Sequence, residues 1–457
     1  MYFLDLLPLL MFAALALLLF CGFPVAFVLG GVGLMFGLIG WWFDAFALIE
    51  FFNISSRIWG GVAENLVLVA VPMFTFMGTM LERSGVAQDL LECLEVLLRK
   101  VPGGLALSVT VMGTIMAATT GIIGASVVMM SLLALPVMLR ARYHPALATG
   151  TICASGTLGI LIPPSIMLVL MADLLSVSVG TLFMAAVVPG FLLSALYYLY
   201  IFGLARAKPQ LAPPLADDVG PATSGELWRL VLKSFIPPIF LIVLVLGSIF
   251  AGWAAPTEAA GVGAFGATLL AIVNRKLTWA TLKDVVRRSA LTNAMIFGIF
   301  VGATMFSYVF RSLGGDFIIE DLILDSGLSE WGILLLIMAI VFGLGFFFDW
   351  LEITLIVLPV FAPIIAALAD LGDHVGDPRW VVPWFAIIIA VNLQTSFLTP
   401  PFGFALFYLK GVAPKEVKIE QIYLGIIPFV LLQLGGLALV ILFPEIALWL
   451  PRALGVL

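Results

Sequence analysis

Two stretches of this chain set hydroxyls, amides and glycines just before paired prolines, inside sequence that is otherwise apolar: CASGTLGILIPPSI at 153–166 and NLQTSFLTPPFG at 392–403. Proline lacks a backbone donor and its ring clashes with the preceding turn, so each pair predicts a break in a helix. A broken helix leaves free carbonyl oxygens at one end and free N–H groups at the other, with helix dipoles to match. Such groups suit non-covalent chemistry. Carbonyl and hydroxyl oxygens can hold a bare cation, and a half-helix N-terminus can receive a carboxylate. Ser155, Gly156 and Gly159 in the first stretch, and Asn392, Gln394, Thr395 and Ser396 in the second, are candidate cation ligands. Thr157, Pro163, Thr399 and Pro400 are candidates to face an anionic solute.

Two further stretches supply polar groups for the same chemistry. AATTGIIGAS at 117–126 is small and hydroxyl-rich and suits a turn whose carbonyls approach an ion, which adds Thr119, Thr120, Gly121 and Ser126 as candidates. GLGFFFDWLE at 343–352 adds Gly345 and Asp349, with Glu352 three residues on. A carboxylate in apolar surroundings is costly and suggests function. The Asp349–Glu352 spacing is also that of a capping box opening a half-helix, and the two roles can coexist.

The inventory for bond-making chemistry is thin. The only histidines, His144 and His374, fall in expected loops, and there is neither an H-E-x-x-H nor a G-x-x-x-x-G-K-[ST] sequence. That argues against a membrane hydrolase, a P-loop ATPase, and a haem or zinc site. Cys21, Cys93 and Cys153 are scattered in apolar context and are expected as buried free thiols.

The elements that must position these groups are membrane helices. Of the 457 residues, 63% are hydrophobic and 11% charged, where a soluble domain is about half apolar and a quarter charged. Long apolar runs recur from residue 6 to residue 449, which predicts an all-α polytopic membrane protein embedded in the lipid bilayer. The amino-terminal run reads as the first transmembrane helix and not as a signal peptide, because Asp5 stands where basic charge belongs and no small-residue cleavage pattern follows.

Charge sorts these spans by side. Seventeen of the 21 Lys and Arg fall in five clusters, at 83–100, 140–142, 206–233, 275–288 and 410–418, which the positive-inside rule assigns to the cytoplasm. Two spans, 235–251 and 256–273, separate the third and fourth clusters, and one span, 289–310, leads to an acidic loop on the other side. The sidedness closes only if 105–139 and 331–369 each enter and leave on one face, as re-entrant hairpins. Within PTEAAG at 256–261, Glu258 follows Pro256 in a first turn and reads as a helix start.

The two hairpin segments resemble each other. LALPVML at 133–139 aligns with IVLPVFA at 356–362, pairing Pro136 with Pro359, and ILIPPSI aligns with FLTPPFG, pairing Pro163 with Pro400. The spacings, 223 and 237, differ by 14 residues, which a longer acidic connection at 371–384 absorbs. The first half, 1–205, thus holds hairpin 105–139 and broken helix 146–172. The second, 229–457, holds hairpin 331–369, broken helix 383–410 and a last helix over 421–450. A Pro-rich cytoplasmic linker, 206–228, joins them. Because the first hairpin opens to the cytoplasm and the second to the outside, the halves form an inverted-topology repeat with two re-entrant hairpins and two broken helices, an architecture common among secondary transporters.

At GTLGILIPPSI, LFMAAVVPG (182–190), APTEAAGVGA (255–264), FDWLEITLIVLPV (348–360) and NLQTSFLTPPFG, the chain resembles the large membrane subunit of the tripartite ATP-independent periplasmic (TRAP) transporters. The tip around Trp350 and the stretch FGFALFYLKGVAP (402–414) are similar to the branch labelled mannitol/chloroaromatic. The resemblance implies Na⁺-driven, elevator-type import of a small organic acid across a bacterial inner membrane, with Na⁺ as coupling ion and no other cofactor. It implies two partners: a periplasmic substrate-binding protein and a small four-helix membrane subunit, expected here as a separate polypeptide. It implies no enzyme activity and no nucleic acid. Trp350 stands where many relatives have proline, and Glu352 is an addition. The residues by themselves leave open an H⁺-coupled organic-anion carrier working without a binding protein, a passive channel, and a non-transporting structural subunit.

Overall fold

Lipid offers the backbone no hydrogen bonds, so the apolar runs close their N–H and C=O groups internally as helices. The computed structural model describes residues 3–121, 123–215, 224–400 and 403–456, and over these the chain is helical with no strand. The helices come in four consecutive groups. The first is α1 (Phe3–Phe20), α2 (Val25–Trp42), α3 (Glu50–Ile58), α4 (Ala70–Arg83) and α5 (Val86–Leu98). The second is α6 (Gly104–Thr120), α7 (Ile123–Arg140), α8 (Pro145–Thr157), α9 (Ile166–Leu174) and α10 (Val179–Ala207). The third is α11 (Ser224–Ser234), α12 (Ile236–Phe250), α13 (Pro256–Val273), α14 (Trp279–Ser312) and α15 (Gly315–Leu324). The fourth is α16 (Glu330–Leu344), α17 (Trp350–Ala366), α18 (Ala369–Val375), α19 (Val381–Ser396), α20 (Phe404–Val412), α21 (Ile419–Leu442) and α22 (Glu445–Ala453).

Groups one and three pack together as a frame, with α2 along α14 and α4 along α13. Groups two and four form a second body around the broken helices, with α8 along α21, α7 against α8 and α20, and α19 against α16 and α21. Where α8 meets α21 the backbones touch: a Cβ on Gly150 would overlap the Gly425 carbonyl, and one on Gly425 would overlap Ala146. Small residues permit such approach in a membrane, where close packing rather than exclusion of water drives helix association.

The ends of the helices sort as the charges require. On the Lys/Arg-rich face Arg83 pairs with Asp284 at 2.7 Å and the Asn274 amide donates to the Ser84 carbonyl at 3.2 Å. On the acidic face Asn65 donates to Asp173 at 2.7 Å and the Trp384 indole donates to the Val440 carbonyl at 3.0 Å. Hairpin α6–α7 starts and ends on the basic face and hairpin α16–α17 on the acidic face, so their tips approach from opposite sides. The repeat also reaches further back than the proline anchors. ERSGVAQDLLE (82–92) and FRSLGGDFIIE (310–320) each end a frame helix, turn at a left-handed glycine (Gly85, φ 79°; Gly314, φ 80°) and enter a short helix, α5 or α15. Leu313 shifts the glycine by one position, so that the arginines stand 228 apart and the left-handed glycines 229, which hides the correspondence in the sequence.

Some sequence expectations are corrected. The last helix does not run over 421–450: α21 ends at Leu442, and Pro444, which cannot continue a helical hydrogen-bond ladder, precedes a separate α22. The segment 206–228 is not one polar linker. α10 continues to Ala207, and 209–215 is clamped to the first hairpin's base by Gly103 N–H to Ala212 O and His144 N–H to Leu211 O. α11 then starts at Ser224, because ELWRLVLKS is amphipathic with Glu226 in its first turn and Lys233 in its last. The span expected over 289–310 is the inner part of α14, which extends back to Trp279. His374 lies in α18 and not in a loop, with Nε2 at 2.9 Å from the Ile441 carbonyl. Cys93 and Cys153 are buried free thiols, but Cys21 is exposed at the turn that ends α1. Glu258 accepts the Ala255 N–H at 2.8 Å and so caps the start of α13.

Candidate ion and solute site

Each broken helix stops near the middle of the second body. α8 ends at Thr157, a tight turn covers Leu158–Ile160, and α9 restarts at Ile166, where Ser165 caps it by accepting the Leu168 N–H. α19 ends at Ser396 and α20 restarts at Phe404, with Gly403 donating its N–H to the Thr399 carbonyl at 3.2 Å. Pro401 and Phe402 lie outside the described residues.

Thr157 and Gln394 are equivalent positions of the two halves, separated by the same 237 residues as Pro163 and Pro400. They touch: Gln394 Nε2 donates to Thr157 Oγ1 at 3.4 Å, and both residues are fully buried. A residue can meet its own repeat equivalent only where a pseudo-two-fold axis passes between them. The axis of the inverted repeat therefore runs through this contact. Thr157 Oγ1 itself donates to the Ala154 carbonyl at 2.9 Å. Gln394 Oε1, also buried, has no partner among the described residues. A buried amide oxygen left unpaired is uncommon and marks a place where a ligand could bind.

Flanking the axis, a second equivalent pair ties each broken helix to its own hairpin. Ser155 lies against bare Gly113 of α6, with its hydroxyl 3.5 Å from that of Thr110. Asn392 donates to the Met338 carbonyl of α16 at 2.7 Å. Gly156 faces Val127 of α7, and Gly345 is pressed so closely on Ser396 that a Cβ there would overlap its side chain. Ser396 Oγ lies 3.4 Å from the Phe342 carbonyl and 3.2 Å from that of Asn392. Thr395 bonds back to the Val391 carbonyl at 3.2 Å, while Gly159 is buried in the turn after α8.

The tips and breaks border one cavity of about 100 Å³. Gly121 comes from the first tip, Ile166 from the start of α9, Asp349 from the second tip, Phe397 from the second break, Tyr408 from α20 and Thr292 from the frame helix α14. Gly121 adopts φ 58°, which favours glycine, and its missing Cβ lets the backbone of Ile166 approach. Asp349 caps α17 by accepting the Trp350 N–H at 2.9 Å. Glu352, on the same turn, points elsewhere. It is 5% exposed, its Oε2 has no partner among the described residues, and it borders a separate cavity of about 80 Å³ against Phe12 and Leu15 of α1. Capping thus accounts for Asp349 but leaves Glu352 an unused oxygen.

The other expected residues whose side chains are described do not line this cavity. The side chains of Thr119 and Thr120 lie outside the described residues, and Ser126 is buried on α7. Pro163 lines a different, apolar crevice of about 620 Å³ with Phe191, Phe235 and Ile242, between the second body and α12. Thr399 turns its hydroxyl back onto the Thr395 carbonyl at 2.9 Å, and Pro400 beside it is half-buried. Sequence reasoning missed Thr292 and Tyr408. A single Thr or Tyr in an apolar helix gives no local signal, although bare Gly124, against which the Tyr408 ring rests, was a trace of the contact.

Known proteins share this chain's sequence and fold. Residues 12–446 match the family described as "Tripartite ATP-independent periplasmic transporter, DctM component". The chain is 31% identical over 396 residues to the C4-dicarboxylate TRAP transporter large permease protein DctM of Pseudomonas aeruginosa, covering 86% of this chain and 88% of that one. It is 27% identical over 437 residues to the sialic acid TRAP transporter large permease protein SiaM of Vibrio cholerae, covering 95% and 96%. Among solved structures it superposes on the YdaH transporter of Alcanivorax borkumensis with a TM-score of 0.61, covering 89% of this chain and 90% of that one, at 16% identity, a likeness of fold alone.

Proposed function

Since the chain belongs to the tripartite ATP-independent periplasmic (TRAP) transporters, as their DctM component, we propose that it carries a small organic acid across the bacterial inner membrane, coupled to Na⁺. A periplasmic binding protein delivers the acid, and a small membrane subunit packs beside the frame. The convergence of both hairpin tips and both broken helices on one cavity, together with the buried Thr157–Gln394 contact, supports this most directly. Carbonyl oxygens freed at the breaks, together with Gln394 Oε1, would hold the cation. The N–H groups that open α9 and α20 would face the carboxylate. A cation and an anion held side by side at low dielectric stabilise each other, so neither occupies the site well alone, and that mutual dependence is the coupling. The second body, hairpins included, then slides against the frame as one piece.

Uptake into proteoliposomes, with binding protein and small subunit present, tests this. It should collapse when K⁺ replaces Na⁺ at constant membrane potential, and unchanged uptake would sink the proposal. Glu352 favours one alternative, coupling to H⁺, because a buried carboxylate with a spare oxygen can take a proton where it cannot keep a charge. In that case uptake follows a pH gradient and ignores the Na⁺-for-K⁺ exchange.

A further inference from the structure

Four basic residues stand outside the cytoplasmic clusters, on a face that is otherwise acidic: Arg57, Arg311, Arg379 and Arg452. Two are occupied by neighbours, Arg379 by Asp377 at 2.7 Å and Arg452 by Glu445. The other two line a single cavity of about 460 Å³ that lies between α3 and α14 of the frame and α17 of the second body. Its polar lining is cationic and hydroxylic: Arg57, Arg311, Thr304, Ser307, Tyr308 and Ser312. The volume lies within the roughly 300–1,000 Å³ common for small-molecule sites.

Arg57 lies over the Tyr308 ring at 5.6 Å and has no carboxylate partner among the described residues. Arg311 gives Nε to Asp316 at 3.2 Å and Nη2 to the Pro359 carbonyl at 3.2 Å, which leaves Nη1 for a ligand. The acids nearby, Asp316 and Glu50 (whose Oε2 accepts the Tyr308 hydroxyl at 3.4 Å), stand outside the lining. The same stripe of α14 continues downward. Thr304, Phe300, Ile296 and Thr292 follow at four-residue steps, and the last two border the central cavity. From Thr304 to Thr292 is about 18 Å along the helix.

We propose that this pocket is an outer anion site, where a carboxylate of the incoming solute is held between Arg57 and the free edge of Arg311 before it moves down the α14 stripe to the central cavity. That the anion is a transported carboxylate rests on the function proposed above; the site itself rests on the two arginines and the cavity. On an acidic surface these two cations form a mouth that would draw an organic acid inward, and Arg supplies planar, paired donors for it.

Ser307→Cys, made in a Cys21→Ser background, places a thiol in the pocket of the full chain in spheroplast membranes. Succinate, lactate and gluconate are each tested without Na⁺ for protection against a membrane-impermeant maleimide. At least one should slow labelling about tenfold, the effect of one or two charge-assisted hydrogen bonds. Arg57→Gln should abolish that protection and Arg57→Lys should restore part of it. No protection by any of the three, or protection that survives Arg57→Gln, overturns the proposal. So does protection by dihexanoyl-phosphatidylglycerol alone, which would make the pocket a lipid headgroup seat. Uptake assayed in the same membranes, with Na⁺, binding protein and small subunit supplied, separates the two readings. Protection without uptake keeps the anion site and fails the transport function, and uptake without protection does the reverse.

Discussion

Replacing Gln394 by methionine tests whether the unpaired amide at the axis is an ion ligand. The substitution keeps the side chain's length and removes its two polar atoms. The hydrogen bond lost to Thr157 is neutral and long, 3.4 Å, and is worth about 0.5–1 kcal/mol. The oxygen removed is buried and unpartnered, and leaving such a group unsatisfied costs about 1–3 kcal/mol. Without Na⁺ the two effects oppose each other, so Gln394→Met should range from neutral to about 2 kcal/mol more stable. Na⁺ works against this gain. A site filled at a hundred times its Kd stabilises the native protein by about 2.7 kcal/mol, and a tenfold loss of affinity removes about 1.4 kcal/mol of that. The assay is thermal unfolding in nanodiscs at fixed scan rate and ionic strength, in Na⁺ and in K⁺. The wild type should melt higher in Na⁺, and Gln394→Met should melt at least as high as wild type in K⁺ while losing about half of the Na⁺ increment. A variant that keeps the full increment refutes the assignment of Oε1 as a ligand. One that is strongly destabilised in K⁺ shows that the amide is simply part of the packing.

Gly345→Ala should destabilise the second hairpin by about 1–3 kcal/mol through overlap with Ser396, and Ser396→Gly in the same chain should recover most of it, as melting of single and double variants would show. Glu352→Gln should leave Na⁺-driven uptake intact and abolish any part of uptake that follows a pH gradient; loss of Na⁺-driven uptake in a folded variant would instead make this carboxylate part of the Na⁺ machinery. Glu95, on α5 at the cytoplasmic face, has its carboxyl pushed up to about 7 by burial and by the charge of Glu92. Its folded pKa lies above the unfolded one, so its contribution to stability is complete below about 4.5 and is lost as pH rises through about 7. Glu95→Gln should flatten the pH dependence of melting across that window.

How much of this was legible depended on whether a residue's effect is local. Paired prolines break a helix wherever they stand, so the breaks before Pro163 and Pro400 could be read directly, but that Thr157 and Gln394 touch could not. Which way a break faces is not local. Pro163 marks the interruption correctly, yet its ring lines an apolar crevice on the far side from the polar axis. Thr292 and Tyr408 enter the centre only because frame and second body pack there, and Arg57 reaches Tyr308 only after the chain has crossed the bilayer several times. The end of α21 was misjudged for a different reason: the apolar run continues past Pro444, and hydropathy outweighed a visible helix breaker.

The contact between Arg311 and the Pro359 carbonyl would have a kinetic consequence for the proposed sliding of the second body. That carbonyl is free because its normal helical donor, four residues on, is Pro363, which has no N–H. The frame therefore holds the second hairpin by a main-chain oxygen, which no side-chain substitution at Pro359 itself would remove. Any travel of α17 along α14 must first break this bond, and at a half-exposed arginine it is worth about 1 kcal/mol. That slows departure from this position about fivefold without changing what is bound. Pro363→Ala, which returns the missing N–H to the helix and competes for the carbonyl, should shorten the dwell in this state. In the proposed sliding of the second body, proline would set the pace of a motion as well as the shape of a helix.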